Sequence, residues 1–326
     1  MTGGKAADAR GLPLPRTVED SDGHPWPRIA LVTPVLNSGK YLEQTIRSVL
    51  AQGYPNLEYF IVDGGSTDGT LNIIRKYESQ ISGWISEPDN GMYNAINKGF
   101  SRTSGEVMGW ISATDKLQPG GLTVVGSVFR DLPEVEWITG RRTVYSDDGT
   151  TIRIDPVMHW SRLRFLIGGS IRHIQQESTY WRRSLWEKAG AHVDASRRAA
   201  GDFELWVRYF RHAPLYSVDA LIGGFRDHPD SGSLVDLAKF NAMCDEIAET
   251  ELRGQWGRCF DTFKTVDSYM RRIPKVRGVW YKGKSRALSL LYSMPGPAPI
   301  IVQHGGQWRT RGLFARNSDY PIRESG

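Results

Sequence analysis

The chain has 326 residues, enough for one large α/β domain with an appendage or for two modest domains. With 40% hydrophobic and 24% charged residues it is an ordinary globular composition, and its two cysteines, Cys244 and Cys259, exclude a disulfide framework and match no zinc spacing. Eleven Lys/Arg against two acids from Arg271 onward give that segment a net +9, so the total of +5 leaves −4 on the preceding body.

Residues 1–27 are dominated by Gly, Lys, Asp, Arg and Pro and lack the apolar core of a signal peptide, which predicts a flexible leader on a cytoplasmic chain. The stretch 287–302 comes nearest to a membrane span, but Pro295, Pro297 and Pro299 break it, and a span needs about 20 apolar residues.

From residue 28 on, short apolar β-branched runs alternate with helical patterns. Residues 28–35 predict a first strand. Asn37 or Ser38 can cap a helix that carries Tyr41, Leu42, Ile46, Val49 and Leu50 on one face. Residues 57–62 predict a second strand that runs into Asp63-Gly64-Gly65-Ser66-Thr67-Asp68-Gly69. The three glycines permit a tight turn, and Ser66 or Thr67 can cap the helix bearing Leu71, Ile73, Ile74 and Tyr77. A third strand (81–86), a helix (92–100), a fourth strand (107–112) and a helix (120–129) follow. This alternation predicts an α/β fold, a Rossmann-like and mainly parallel sheet with crossover helices.

The rhythm then changes. Residues 143–154 alternate around Asp148-Gly149, a hairpin signal that predicts a small antiparallel element. Helices are predicted over 184–189 and 203–210, an extended run over 215–225, and a helical pattern from 233 to about 253 that turns irregular and basic. The organisation expected is a leader (1–27), one domain (28–232) and a helical, then basic, C-terminal extension (233–326).

Ligands in open parallel sheets bind beyond the carboxyl ends of the strands. Asn37 follows the first strand, Asp63 ends the second, Asp89 follows the third and Asp115 the fourth. Each alone reads as a turn former or helix cap, the common role of Asp and Asn in such loops. Four converging on one edge point to a site.

The strings Thr33-Pro34-Val35-Leu36-Asn37, Val62-Asp63-Gly64-Gly65-Ser66-Thr67-Asp68-Gly69-Thr70, Glu87-Pro88-Asp89-Asn90-Gly91-Met92-Tyr93-Asn94-Ala95-Ile96-Asn97-Lys98-Gly99 and Trp110-Ile111-Ser112-Ala113-Thr114-Asp115, in this order, resemble family 2 glycosyltransferases of GT-A fold. The likeness covers about 28–228. It is not a P-loop, since no Gly-Lys-Ser/Thr follows the glycine-rich turn. The resemblance implies a donor half over about 28–120 that binds a nucleotide-diphosphate sugar. It implies that Asp63 recognises the base and that the Thr33-Pro34 loop lines the same pocket. Asp89 would lie near base or ribose, and Asn37, Gly64, Ser66, Asn94, Lys98, Ser112 and Thr114 complete the donor-binding set. Asp115 takes the last position of the metal motif, and its hard oxygens suit Mg²⁺ or Mn²⁺. Many relatives have two or more aspartates there, whereas this chain has Ala113 and Thr114 before a lone Asp115.

The acceptor half, about 140–232, carries Gln175-Gln176-Glu177-Ser178-Thr179-Tyr180-Trp181-Arg182-Arg183-Ser184-Leu185-Trp186-Glu187-Lys188-Ala189-Gly190 and then Gly201-Asp202-Phe203-Glu204-Leu205-Trp206-Val207-Arg208. The resemblance makes Asp202 the general base of an inverting transfer; as a local sequence it is also a helix N-cap, and both can hold. Glu204, two residues on, is the alternative base. Within Gly223-Gly224-Phe225-Arg226-Asp227-His228-Pro229 the resemblance places Arg226 against the donor phosphates, and His228 as a metal ligand or a diphosphate contact. Trp181, Trp186 and Trp206 sit in apolar patterns and read as core or cleft wall, while Trp160, beside His159 and Arg162, is assigned to an acceptor-side loop.

The function expected is transfer to a glycan or lipid-linked acceptor in cell-surface polysaccharide assembly. Two alternatives are a sugar nucleotidyltransferase and a non-catalytic module of the same fold. The basic C-terminal segment, interleaved with Val279-Trp280-Tyr281, Leu288, Leu290-Leu291-Tyr292 and Ile300-Ile301-Val302, predicts a peripheral hold on an anionic membrane. No nucleic-acid motif accompanies the charge.

Overall fold

The computed structural model describes residues 18–19, 23, 25–167, 173–197, 199–229, 237–273 and 297–312. The leader to residue 17 and the basic stretches 274–296 and 313–326 lie outside the described residues.

Two short strands, β1 (Val18–Glu19) and β2 (Pro25–Trp26), pair antiparallel at the entrance to the domain. The predicted alternation then appears as β3 (Ile29–Val35), α1 (Leu42–Leu50), β4 (Leu57–Asp63), α2 (Thr70–Tyr77), β5 (Gly83–Ser86), α3 (Met92–Ser101) and β6 (Val107–Trp110). β3 pairs parallel with both β4 and β6, and β4 pairs parallel with β5. All seven residues of β3 are buried, as expected for a strand covered on both faces.

After β7 (Lys116–Leu117) and α4 (Gly121–Asp131), the second half supplies β8 (Trp137–Thr139), β9 (Thr143–Tyr145), β10 (Thr151–Ile154), α5 (Arg162–Ile167), β11 (Thr179–Arg182), α6 (Arg183–Lys188), α7 (Gly201–Tyr209), β12 (Tyr216–Val218) and β13 (Gly223–Arg226). β11 lies antiparallel between β6 and β8 and joins the two halves into one sheet. β9 and β10 form the predicted hairpin, which with β13 and β7 makes a small second sheet in the order β10-β9-β13-β7. The extended run expected over 215–225 is therefore two strands in different sheets.

The C-terminal part opens with the expected helix and departs from the expected irregular tail only beyond it. Helix α8 (Leu237–Trp256) buries Cys244, Ile247, Ala248 and Leu252 in the main core, and a further helix, α9 (Arg258–Arg272), follows it. A hairpin of β14 (Ile300–His304) and β15 (Gln307–Arg311) adds to the large sheet through the parallel pair β12·β14. The large sheet thus runs β15-β14-β12-β8-β11-β6-β3-β4-β5. Ile301 is fully buried there, and Trp308 donates its ring N–H to Ser127 Oγ on α4 at 2.7 Å. The Ile300-Ile301-Val302 run is sheet, not free membrane-facing surface.

Two cores flank the sheet. On one face Trp110, Trp137, Trp181 and Trp206 pack together, with Trp110 and Trp206 stacked at 5.8 Å; Trp186 joins through Trp181 and Phe100. Trp160 belongs to this core as well. It is 4% exposed and packs on Phe165, so the acceptor-loop role assigned to it is corrected.

Candidate active site

The strand register brings the carboxyl ends together: Val35 sits opposite Asp63, Asp63 opposite Ser86, and Val32 opposite Trp110. The loops that follow are stitched to one another. Gly64 N–H donates to the Val35 carbonyl at 2.9 Å, Asn37 N–H to Ser66 Oγ at 2.8 Å, and Thr67 N–H to Asn37 Oδ1 at 2.9 Å. Asn37 adopts a left-handed φ of 47°, a conformation that asparagine tolerates better than most side chains. Neither Asn37 nor Ser38 caps α1, and neither Ser66 nor Thr67 caps α2; the Asn37 and Ser66 side chains tie loop to loop instead.

Asp63 is fully buried. Its carboxylate accepts from the N–H groups of Gly65 and Ser66 and from the hydroxyls of Ser66 and Ser86. It therefore shapes the glycine-rich turn from within. Thr33 is likewise fully buried, within β3, and its hydroxyl pairs with that of Tyr59 at 3.0 Å. Thr33 and Pro34 are buried near the end of β3, within the strand predicted over 28–35.

The half-buried Asp89 comes close to this turn. A Cβ on Gly64 would stand 2.7 Å from Asp89 Oδ2, so glycine there leaves room for the carboxylate. Asp89 Oδ1 accepts from Gly91 N–H at 2.7 Å. Lys98 pairs with Glu87 at 2.8 Å and donates to the Pro88 carbonyl, and Asn94 accepts weakly from Asn90 N–H, so both brace the loop that presents Asp89.

Asp115 is 2% exposed. Its Oδ1 accepts the Arg226 N–H at 2.8 Å, and the side chains of Glu177 and Ser112 are hydrogen-bonded to it. Burial pushes Asp115 up to about 6, opposed by the Arg226 N–H and by its hydrogen-bonded neighbours. Glu177 is buried too, and burial together with the charge of Asp115 holds its carboxyl well above the ordinary range. Burial and the repulsion between the two adjacent carboxyls favour a proton on the pair, against the nearby charge of Arg226. Arg226 is fully buried, with its guanidinium donating to the carbonyls of Thr114 and Asp147 and to Gln44 Oε1. It organises the site from below and presents no open face to a phosphate. His228 packs its ring against Tyr41 at 4.9 Å, and Tyr41 and Lys40 both donate to Asp147 in the β9–β10 turn.

Asp202 opens α7 and is half-buried. Its Oδ1 accepts the Tyr93 hydroxyl at 3.1 Å and the Phe203 N–H at 2.8 Å. Burial raises its carboxyl above the usual range, opposed by the neighbouring His173 ring and by those two donors. The charge of Asp202 adds a smaller push in the same direction on Glu177. Glu204 is engaged elsewhere: it forms a doubly hydrogen-bonded ion pair with Arg208, at 2.8 and 3.0 Å to Nε, and Arg208 also holds the carbonyls of Ala189 and His192. The alternative base is thereby a structural brace.

Residues 30–191 match the family model described as glycosyl transferase family 2. The chain belongs to that family. An uncharacterized glycosyltransferase of Rickettsia conorii is 24% identical over 225 residues, 67% of this chain and 37% of that protein. One from Mycobacterium tuberculosis is 28% identical over 188 residues, 56% of this chain and 68% of that protein. TuaG of Bacillus subtilis, named for teichuronic acid biosynthesis, is 37% identical over 93 residues, 28% of this chain and 37% of that protein. The chain thus spans 37% of the Rickettsia conorii relative's length. Among solved structures, S. aureus TarS 1–349 in complex with UDP-GlcNAc superposes with a TM-score of 0.55 at 15% identity, over 69% of this chain and 66% of that one, a likeness of fold.

Within this family 2 chain, the donor set suits a divalent cation that draws most of its ligands from substrate. Among the described residues no group of three His, Cys, Asp or Glu side chains stands ready to hold a metal. The buried Asp115–Glu177 pair offers hard oxygens whose mutual repulsion a cation would relieve, and Mg²⁺ is commonly held by one or two carboxylates plus phosphates. Glu177 and Tyr93 were not among the residues singled out from the sequence as site residues, although both lie inside the family-like strings. Their only sequence signal is that position.

Proposed function

We propose that the chain is an inverting glycosyltransferase that moves a sugar from a nucleotide-diphosphate sugar to a glycan or lipid-linked acceptor in cell-surface polysaccharide assembly. The observation that carries this reading is the hydrogen bond from Tyr93, on the helix that follows the Asp89 loop, to Asp202 at the start of α7, which ties the acceptor-side carboxyl to the donor half. A carboxyl whose affinity for a proton is raised by burial suits a general base. The names of TuaG and of the TarS–UDP-GlcNAc complex support a nucleotide-sugar donor and a cell-wall type of product.

Asp202 takes the proton of the acceptor hydroxyl as that oxygen bonds to the anomeric carbon and the diphosphate oxygen leaves from the opposite face. The loop of Asp63, Gly64, Ser66 and Asp89 forms the floor for the nucleotide, with Asn37, Asn94 and Lys98 bracing its walls. Ser112, Thr114 and Arg226 hold Asp115 in place. A divalent cation bound at Asp115, with Glu177 and His228 near it, would neutralise charge on the departing diphosphate. The basic C-terminal segment is proposed to keep the chain peripheral on the cytoplasmic face of an anionic membrane, where a lipid-linked acceptor lies.

The test is nucleoside diphosphate release from a panel of UDP-, GDP- and dTDP-sugars with Mg²⁺ or Mn²⁺. Asp202→Asn should lose at least about 10²-fold in turnover, the usual contribution of a general base, while nucleotide binding stays within twofold or so of wild type. Retention of more than about a tenth of the activity would place the base elsewhere.

A further inference from the structure

Helix α3 is fixed to the acceptor half at two points one helical turn apart. Asn97 donates from Nδ2 to the Val193 carbonyl and accepts the Val193 N–H on Oδ1, both at 2.8 Å. Four residues earlier on the same helix face, the Tyr93 hydroxyl donates to Asp202 Oδ1. Tyr93 is 4% exposed, and its ring lies so close under the first turn of α7 that a Cβ on Gly201 would stand 2.7 Å from it. The N-terminal end of α3 follows directly from the Asp89 loop. One helix therefore links the floor of the donor site to Asp202.

The hydrogen bonds from Tyr93 and Phe203 both fall on Oδ1. We propose that Tyr93 is a positioning residue for Asp202: its hydroxyl fixes Oδ1 and turns Oδ2 toward the acceptor, so that Oδ2 is the oxygen that takes the acceptor's proton. The inference rests on the reading of Asp202 as the base. A buried carboxylate with free torsion would sample orientations that point neither oxygen at the acceptor, and one hydroxyl anchored on a helix removes that freedom. Because the bond is to the charged form, it also favours ionisation, against the burial that raises Asp202. Among the described residues, His173 and Glu177, both on the segment leading into β11, also interact electrostatically with Asp202.

The full chain is compared as wild type, Tyr93→Phe and Asp202→Asn. The first readout needs no turnover: carbon-13 titration of labelled aspartate carboxyls, with the Asp202 signal identified by its loss in Asp202→Asn. The second is kcat and KM for nucleoside diphosphate release from UDP-N-acetylglucosamine and from GDP-mannose. Tyr93→Phe should move the Asp202 midpoint upward and lower kcat about tenfold, as for a lost hydrogen bond to a charged group, with donor KM unchanged. The deficit should shrink as pH rises and the carboxylate refills. Gly201→Ala, which pushes the tyrosine ring while leaving its hydroxyl, should show the same signature. An Asp202 midpoint in Tyr93→Phe identical to that of wild type overturns the inference. A fully active Asp202→Asn overturns the base assignment and the inference with it, whereas an inactive Asp202→Asn beside an unshifted Tyr93→Phe overturns the inference alone.

Discussion

The backbone N–H of Arg226 donates to Asp115 Oδ1 at 2.8 Å and ties β13 to the loop after β6. The Arg226 side chain reinforces the tie by donating to the carbonyl of Thr114, next to Asp115 in the chain. Asp115 therefore serves the fold through the oxygen that accepts this N–H, while its charge serves the site. Replacing it with alanine would remove both at once.

Asp115→Asn separates them, because an amide oxygen can still accept the Arg226 N–H. This variant should melt close to wild type, yet bind UDP or GDP in Mn²⁺ about tenfold more weakly, on the order of one charge-assisted contact. In EDTA its affinity should match wild type. Calorimetric titration in both media is the check, and equal losses in the two would make Asp115 a purely structural group.

A second expectation concerns Glu177. Its carboxyl and that of Asp115 are both raised by burial, the reverse of the usual paired carboxylate. A group whose folded pKa exceeds its unfolded one binds its proton more tightly when folded. The stabilisation is complete below the unfolded value, near 4.3 for a glutamate, and is lost as pH rises through the folded value. For Asp115 that folded value is about 6. Metal-free wild type should accordingly lose stability from this pair between mildly acidic and alkaline pH. Glu177→Gln keeps a hydrogen-bonding side chain without the charge. Urea unfolding in EDTA should find it more stable than wild type at pH 8 by on the order of 1 kcal/mol, and no more stable at pH 5. A constant difference across pH would mean that the pair does not hold its proton in the folded chain.

How far the site could be read from the sequence follows from the range of each interaction. Asp63 ends β4, and Asp89 and Asp115 lie in the loops after β5 and β6; their shared edge was legible because each apolar run is local and parallel register does the rest. Tyr93 was not, because its partner Asp202 lies 109 positions away and nothing in Met92-Tyr93-Asn94 distinguishes a core tyrosine from one that touches a carboxylate. Glu204, the secondary candidate, gives no sign in the sequence that Arg208, one turn on, holds it in an ion pair. Trp160 beside two polar residues suggested a loop, yet its carbonyl accepts from Ala298 N–H and its ring fills the core. Whereas β8, α5 and the joining strand β11 were not legible, the elements from β3 to β6, α4, the β9–β10 hairpin and helices α6 to α8 were, to about Arg253. Beyond that, Ile300-Ile301-Val302 is as apolar as a membrane contact, and only its pairing with Ser217 and Val218 makes it a strand.

That last correction changes how the membrane proposal must be tested. Among the described residues no helix is long and apolar enough to cross a bilayer. The charge for a peripheral hold is present: Lys275, Arg277, Lys282, Lys284 and Arg286 lie in the stretch 274–296, with Trp280 and Tyr281 among them. Each cation near an anionic leaflet contributes about 1 kcal/mol, and aromatic side chains favour the interface. Cutting the chain before this stretch would also remove β14 and β15 and expose β12, so a truncated protein could bind vesicles through a damaged sheet. Changing the five cations to glutamine leaves the hairpin intact. Wild type should sediment with vesicles containing phosphatidylglycerol at low salt and release as salt rises toward 1 M, where screening falls to about 3 Å. The five-glutamine variant should remain in the supernatant at every salt concentration while still melting as one cooperative unit. Vesicle binding by the variant equal to that of wild type would remove the basic stretch from the account.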